Sequence, residues 1–115
     1  VVGALMTHPE FLECEGGFLS DSAPKRAMSI AREEGVRAFV VPGTKLERAT
    51  SLVQPVGVET RFLVPGIGRQ GGMIEDIAAF LPLRQCFPII GTAIYAAADP
   101  GRAAREFAAR YMAAL

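Results

Sequence analysis

Four short apolar runs alternate with four helical patterns along this 115-residue chain, and that alternation constrains the fold more than any other feature. Strands separated by helices pair in parallel, since each helix carries the chain back across the sheet by a right-handed crossover. The first run covers residues 1–6. A helix is expected over about residues 20–34, with Ala23, Ala27, Ile30 and Ala31 on one face and Gly35 as its C-cap. The second strand is read at about residues 37–41 and closes at Pro42-Gly43. Thr44-Lys45-Leu46-Glu47 reads as a capping box, opening a helix to about Val53 with Leu46, Ala49 and Val53 inward. The third strand is residues 61–64, with a short helix at residues 74–81 after a glycine loop. The fourth strand is residues 88–90. Asp99 and Pro100 are placed to open the last helix, as cap and first residue. On that helix Ala104, Phe107, Ala108, Tyr111, Met112 and Leu115 form one stripe, read as core packing.

The sum is an α/β chain of (βα)4 type with parallel strands, one domain over residues 1–115. Four such units are half of an eight-stranded TIM (β/α)8 barrel. A half barrel leaves two open strand edges and an uncovered inner face, which favours association. The chain therefore reads as a C-terminal half, a self-associating half barrel, or a small open α/β sheet.

Half of the residues are hydrophobic and 21% are charged, the balance of a globular chain. Twelve basic residues offset twelve acidic ones, so net charge argues for no nucleic acid and no acidic membrane as partner. Cys14 and Cys86 are the only cysteines, which fits a reducing cytosol and inert thiols. One histidine and two scattered cysteines show no metal-ligand spacing, and no cofactor is expected. No leader pattern and no apolar run near 18 residues is seen, so a cytoplasmic chain is expected.

The loops after the third and fourth strands carry the chemical signal. Residues 65–72, Pro-Gly-Ile-Gly-Arg-Gln-Gly-Gly, follow an apolar strand directly. Glycines let a backbone approach a ligand and turn N–H groups toward an anion. Gly91-Thr92 closes the next strand in the same way. Two neighbouring strand-to-glycine loops near a C-terminus are the arrangement of a phosphate site on the last two loops of a (β/α)8 barrel.

Met6-Thr7-His8-Pro9, residues 64–72 and residues 89–95 followed by Asp99-Pro100 occur in that order across nearly the whole chain. They resemble three segments of the archaeal-type orotidine 5'-phosphate decarboxylase family: M-S-H-P, P-G-[IV]-G-x-Q-G-G and I-[IV]-G-R-x-I-Y with a later N/D-P. The resemblance implies the C-terminal half of a cofactor-free, usually dimeric barrel that converts orotidine monophosphate to uridine monophosphate and CO2 in de novo pyrimidine synthesis. It implies that Met6 lines the base pocket and that Thr7 replaces a serine bonded to the pyrimidine. Pro65, Gly66, Ile67 and Gly68 would turn beneath the nucleotide. Arg69, Gln70, Gly71 and Gly72 would continue the loop, with Gln70 reaching toward phosphate and ribose. Gly91 and Thr92 would cradle the phosphate.

Two features depart from that pattern. Thr92 stands where the family has a phosphate-gripping arginine, and a threonine offers no bidentate charged fork; Arg69 is a candidate to compensate. The family's early D-x-K and D-x-K-x-x-D motifs are absent, since neither Lys25 nor Lys45 has an aspartate two residues before it. No catalytic residue is therefore assigned, and the chain alone is expected to be inactive. The expected partners are a nucleotide monophosphate, and either further copies of the chain or an N-terminal half barrel. The alternative is a noncatalytic phosphate- or nucleotide-binding half barrel. A hexulose phosphate synthase or ketogulonate phosphate decarboxylase relative would resemble the segment after the fourth strand but usually lacks the P-G-I-G-x-Q-G-G loop.

The remaining polar residues are read plainly. His8 before Pro9 is a turn element rather than a base. Glu10, Glu13 and Glu15 around Cys14 form a solvated loop, and Lys45 and Arg48 a solvated helix face.

Overall fold

A computed structural model describes residues 1–53 and 57–115. The strands are β1 (Val2–Gly3), β2 (Ala38–Val40), β3 (Arg61–Val64) and β4 (Cys86–Pro88). They form one parallel sheet in the order β1-β2-β3-β4. The helices are α1 (Ala23–Glu33), α2 (Leu46–Val53), α3 (Ile77–Phe80), α4 (Thr92–Tyr95) and α5 (Pro100–Ala114). Single 3-10 turns lie at Glu13–Glu15 and Leu83–Gln85.

The element boundaries follow from backbone chemistry. Pro24 is tolerated only in a helix's first turn, so α1 starts at Ala23 rather than at residue 20. Gly35, at φ +79°, ends it as expected, with the Val36 N–H returning to the Ala31 carbonyl. Thr44 lies in a turn in which the Lys45 N–H bonds the Pro42 carbonyl, so α2 begins at Leu46, beyond the expected capping box. The strand at residues 61–64 is as read. β4 is two residues earlier than read, because Cys86 pairs with Phe62 and Pro88 with Val64, where β3 ends. The Ile89 N–H makes one last bond to the Val64 carbonyl. The short helix after the glycine loop starts at Ile77, three residues later than read. Asp99 caps α5 as expected, its carboxylate accepting from the Arg102 N–H at 2.9 Å.

Alternate strand residues face opposite sides of a sheet. Phe39, Phe62 and Cys86 are in register, and all three are buried. Their side carries the core, which joins Val41 and Val64 to Met28 and Ala31 of α1, Leu46, Ala49 and Leu52 of α2, and Ile77 of α3. The face of α1 is thus centred on Met28 and Pro24, while Ile30 is half exposed, a correction to the expected stripe. The side chain of Val53 lies outside the described residues. Val40, Leu63 and Phe87 form the next row, on the opposite side. Phe87 is 48% exposed there, so this face has no second layer over it among the described residues.

The stripe of α5 is only partly core. Phe107 and Tyr111 pack against the core, and the Tyr111 hydroxyl reaches the Leu83 and Cys86 carbonyls. Ala104, Ala108, Met112 and Leu115 are exposed, on a side of the helix that no described element covers. Arg110 clamps α5 to Glu75 through a two-pronged ion pair at 2.6 and 2.7 Å.

The fully buried phenylalanines carry the core. Phe62→Ala should destabilise the chain by about 3–5 kcal/mol, read as a lower urea midpoint. A loss well under that range would show that the sheet is held mainly elsewhere.

Candidate functional site

A cavity of about 380 Å³ opens at the C-terminal ends of all four strands. That end carries the active sites of (β/α)8 barrels. Leu5, Met6 and Thr7 line it after β1, and Val40 at the end of β2. Pro65, Gly66, Ile67, Arg69 and Gln70 line it after β3, and Ile89, Gly91 and Thr92 after β4. Nine of the twelve residues singled out from the sequence thus share one cavity; Gly68, Gly71 and Gly72 are not part of its lining. Leu5, Val40 and Ile89 were not singled out. Their position at strand ends was the available signal.

The glycine loop is shaped by its own hydrogen bonds. The Gly68 N–H bonds the Gly72 carbonyl, the Gly71 N–H bonds Gly68, and the Gly72 N–H bonds Gly66. These three amides point into the loop rather than toward a ligand, because a reversal this tight consumes its donors in closing itself. The expectation that they face an anion is corrected at those positions. Gly66 and Gly68 both sit at φ +86°, which side-chain-bearing residues seldom adopt. A Cβ on Gly68 would stand 2.9 Å from that of Ala93, so the loop is pressed against α4. A Cβ on Gly66 would stand 3.1 Å from Gln70 Oε1 and 3.5 Å from the methyl of Thr7. The Gln70 amide and the Thr7 side chain therefore converge above Gly66. Across the cavity, Thr92 Oγ1 lies 2.9 Å from the Tyr95 hydroxyl.

The loop bearing Thr7 is held from the side by a clamp that the sequence reading missed. Lys45 Nζ donates to the His8 carbonyl at 2.6 Å and to Glu15 Oε2 at 2.8 Å. Glu15 Oε2 also accepts the Phe11 and Leu12 N–H groups. The side chains of Lys45 and Glu15 are about nine-tenths buried, so neither is the solvated residue expected. Arg48 does stay half exposed, near Glu15 and donating to Cys14 Sγ. His8 behaves as a turn element, with Nδ1 accepting the Glu10 N–H. Cys86 is buried, and burial pushes its thiol up to about 12, which makes it unreactive. No cluster of potential metal ligands occurs among the described residues, and no described helix is long and apolar enough to cross a membrane.

No protein-family model matches the chain. Curated relatives do. An orotidine 5'-phosphate decarboxylase of Methanosarcina barkeri is 35% identical over 107 residues, 90% of this chain and 43% of that protein. That of Methanocaldococcus jannaschii is 33% identical over 102 residues, 89% of this chain and 44% of the relative. Among solved structures, orotidine 5'-monophosphate decarboxylase from Sulfolobus solfataricus superposes with a TM-score of 0.73 at 27% identity, covering 97% of this chain and 48% of that one. The Methanocaldococcus jannaschii enzyme, complexed with the inhibitor BMP, gives a TM-score of 0.72 at 31% identity over 92% of this chain and 45% of its own. The four parallel strands and their helices are thus half of a TIM barrel. The chain is a homologue of the archaeal orotidine 5'-phosphate decarboxylases and spans about half the length of the relatives it matches.

The clamp has a pH signature. The bonded Lys45 ammonium, helped by the Leu12 and Phe11 amides, holds the Glu15 carboxyl below its ordinary 4.5 against the opposing effect of burial. A depressed carboxylate stabilises the fold above its unfolded value, and that contribution fades as pH falls through the lower folded value. The melting temperature of the native chain should therefore fall more steeply below pH 4.5 than that of Glu15→Gln. Parallel acid limbs would show that the pair contributes nothing.

Proposed function

We propose that this chain supplies the base- and phosphate-binding half of a decarboxylase site acting on orotidine monophosphate. The convergence of three separate sequence segments on one cavity at the strand ends carries this reading. In it, the Thr7 hydroxyl bonds the pyrimidine and Met6 walls the base. The turn at residues 65–68 lies beneath the nucleotide. Gln70, which already leans over Gly66, joins phosphate to ribose, and the backbone of Gly91 and Thr92 lies against the phosphate.

The reaction itself needs more. Loss of CO2 leaves a carbanion, which a preorganised charge network must stabilise and an acid must protonate. No lysine, aspartate or glutamate lines the described cavity. Those groups belong, in this reading, to an N-terminal (βα)4 portion seated on the open sheet face and edges. The exposed Phe87 and Ile89 of the open face, with the exposed Met112 and Leu115 of α5, give such a partner, or a second copy, apolar surface to cover. The absence of acid and lysine from the described lining equally favours the second reading, a noncatalytic nucleotide-binding half barrel.

Loss of orotidine monophosphate absorbance separates the two. The chain alone should show no turnover, and adding the N-terminal half of an archaeal relative should produce it. Binding of uridine monophosphate with no turnover in any reconstitution would favour the noncatalytic reading. Light scattering at tens of micromolar should show a species heavier than the 12.3 kDa monomer, and a clean monomer would count against self-association.

A further inference from the structure

Arg69 is the only charged residue lining the described cavity. No carboxylate lies within ion-pair distance of it among the described residues. Its surroundings are neutral donors and acceptors: the Gln70 amide, the Thr7 and Thr92 hydroxyls and loop backbone. A cavity with one uncompensated guanidinium and no acid selects an anion. The position of Arg69 is fixed by its neighbour, since Gly68 abuts Ala93 on α4 and Thr92 begins that helix. Arg69 is therefore held at the junction between the glycine loop and the turn after β4. Thr92 cannot supply the charge, and its hydroxyl is bonded to Tyr95.

We propose that Arg69 is the phosphate-recognising cation of this cavity, gripping a phosphate monoester from the loop after β3 rather than from the turn after β4. This rests on the nucleotide-binding reading but makes a separate claim about where the charge resides. Three amides of the glycine loop are spent inside it, so the positive charge this loop offers an anion is that of the Arg69 side chain. The guanidinium fork can meet two phosphate oxygens at once.

The test is equilibrium binding of uridine monophosphate, uridine and inorganic phosphate to the full chain and to its Arg69→Ala variant. Arg69 is an exposed loop residue, so the variant should fold, and an unchanged melting temperature checks this. Losing a charge-assisted bond should weaken uridine monophosphate by about 10- to 100-fold and leave uridine unchanged. Thr92→Arg in the Arg69→Ala background should restore most of the loss, by returning a guanidinium to the other side of the same junction. If Arg69→Ala binds uridine monophosphate as tightly as the native chain while both prefer it to uridine, the assignment of Arg69 is overturned and the nucleotide reading stands. A Thr92→Arg substitution that restores nothing also overturns it, by putting the phosphate elsewhere. Phosphate bound through Arg69 with no gain from the uridine moiety would support the cation and remove the nucleotide reading. A native chain that binds none of the three ligands would overturn both.

Discussion

Phe39, Phe62 and Cys86 stand in register across three parallel strands, and nearly everything else follows from which way they point. Side chains alternate along a strand, so a slip of one residue would turn all three out of the core. With that row buried beneath the helices, Val40, Leu63 and Phe87 must face the other way. The same register ends β2, β3 and β4 at one level. Thr7, Pro65 and Gly91 consequently meet around a single cavity, although they are scattered widely in sequence. One-sided burial also explains what the chain lacks, since half a barrel has helices on the outer face and no opposing strands for the inner one.

The loop after β3 shows how a glycine-rich sequence can serve shape before chemistry. Its inward amides close it on itself, and its tight seat against Ala93 sets it beside the turn after β4. The polar groups left facing the cavity belong to side chains, chiefly Thr7, Arg69 and Gln70. Lys45 works on the same architecture from outside. Just before α2, its ammonium donates both to the His8 carbonyl and to Glu15, in a pair largely shielded from water, where such bonds are stronger than on an open surface.

Legibility varied with the range of the interactions involved. Asp99 capping α5 and Gly35 ending α1 are local events, settled within a few residues, and both were readable. So was β3, an apolar run between clear turns. The limits of β4 were not, because they depend on where a strand distant in sequence stops pairing. The burial of Lys45 and Glu15 was invisible for the same reason: charged residues read as solvated until the fold brings opposite charges together. The α5 stripe was misjudged because its periodicity shows which face is apolar, not whether anything covers it.

By itself, then, the sequence determined the alternation of strands and helices, the parallel sheet this demands, and the three segments from which the cavity is built. These are encoded in periodicity, turn residues and short motifs, all of which act over a few positions. Only the tertiary structure decided that three amides of the glycine loop turn inward, that Lys45 and Glu15 clamp the first loop, and that Arg69 is the sole charge among the described residues of the cavity wall. Each of those outcomes depends on which groups become neighbours after the chain has folded, and on how much water is left between them.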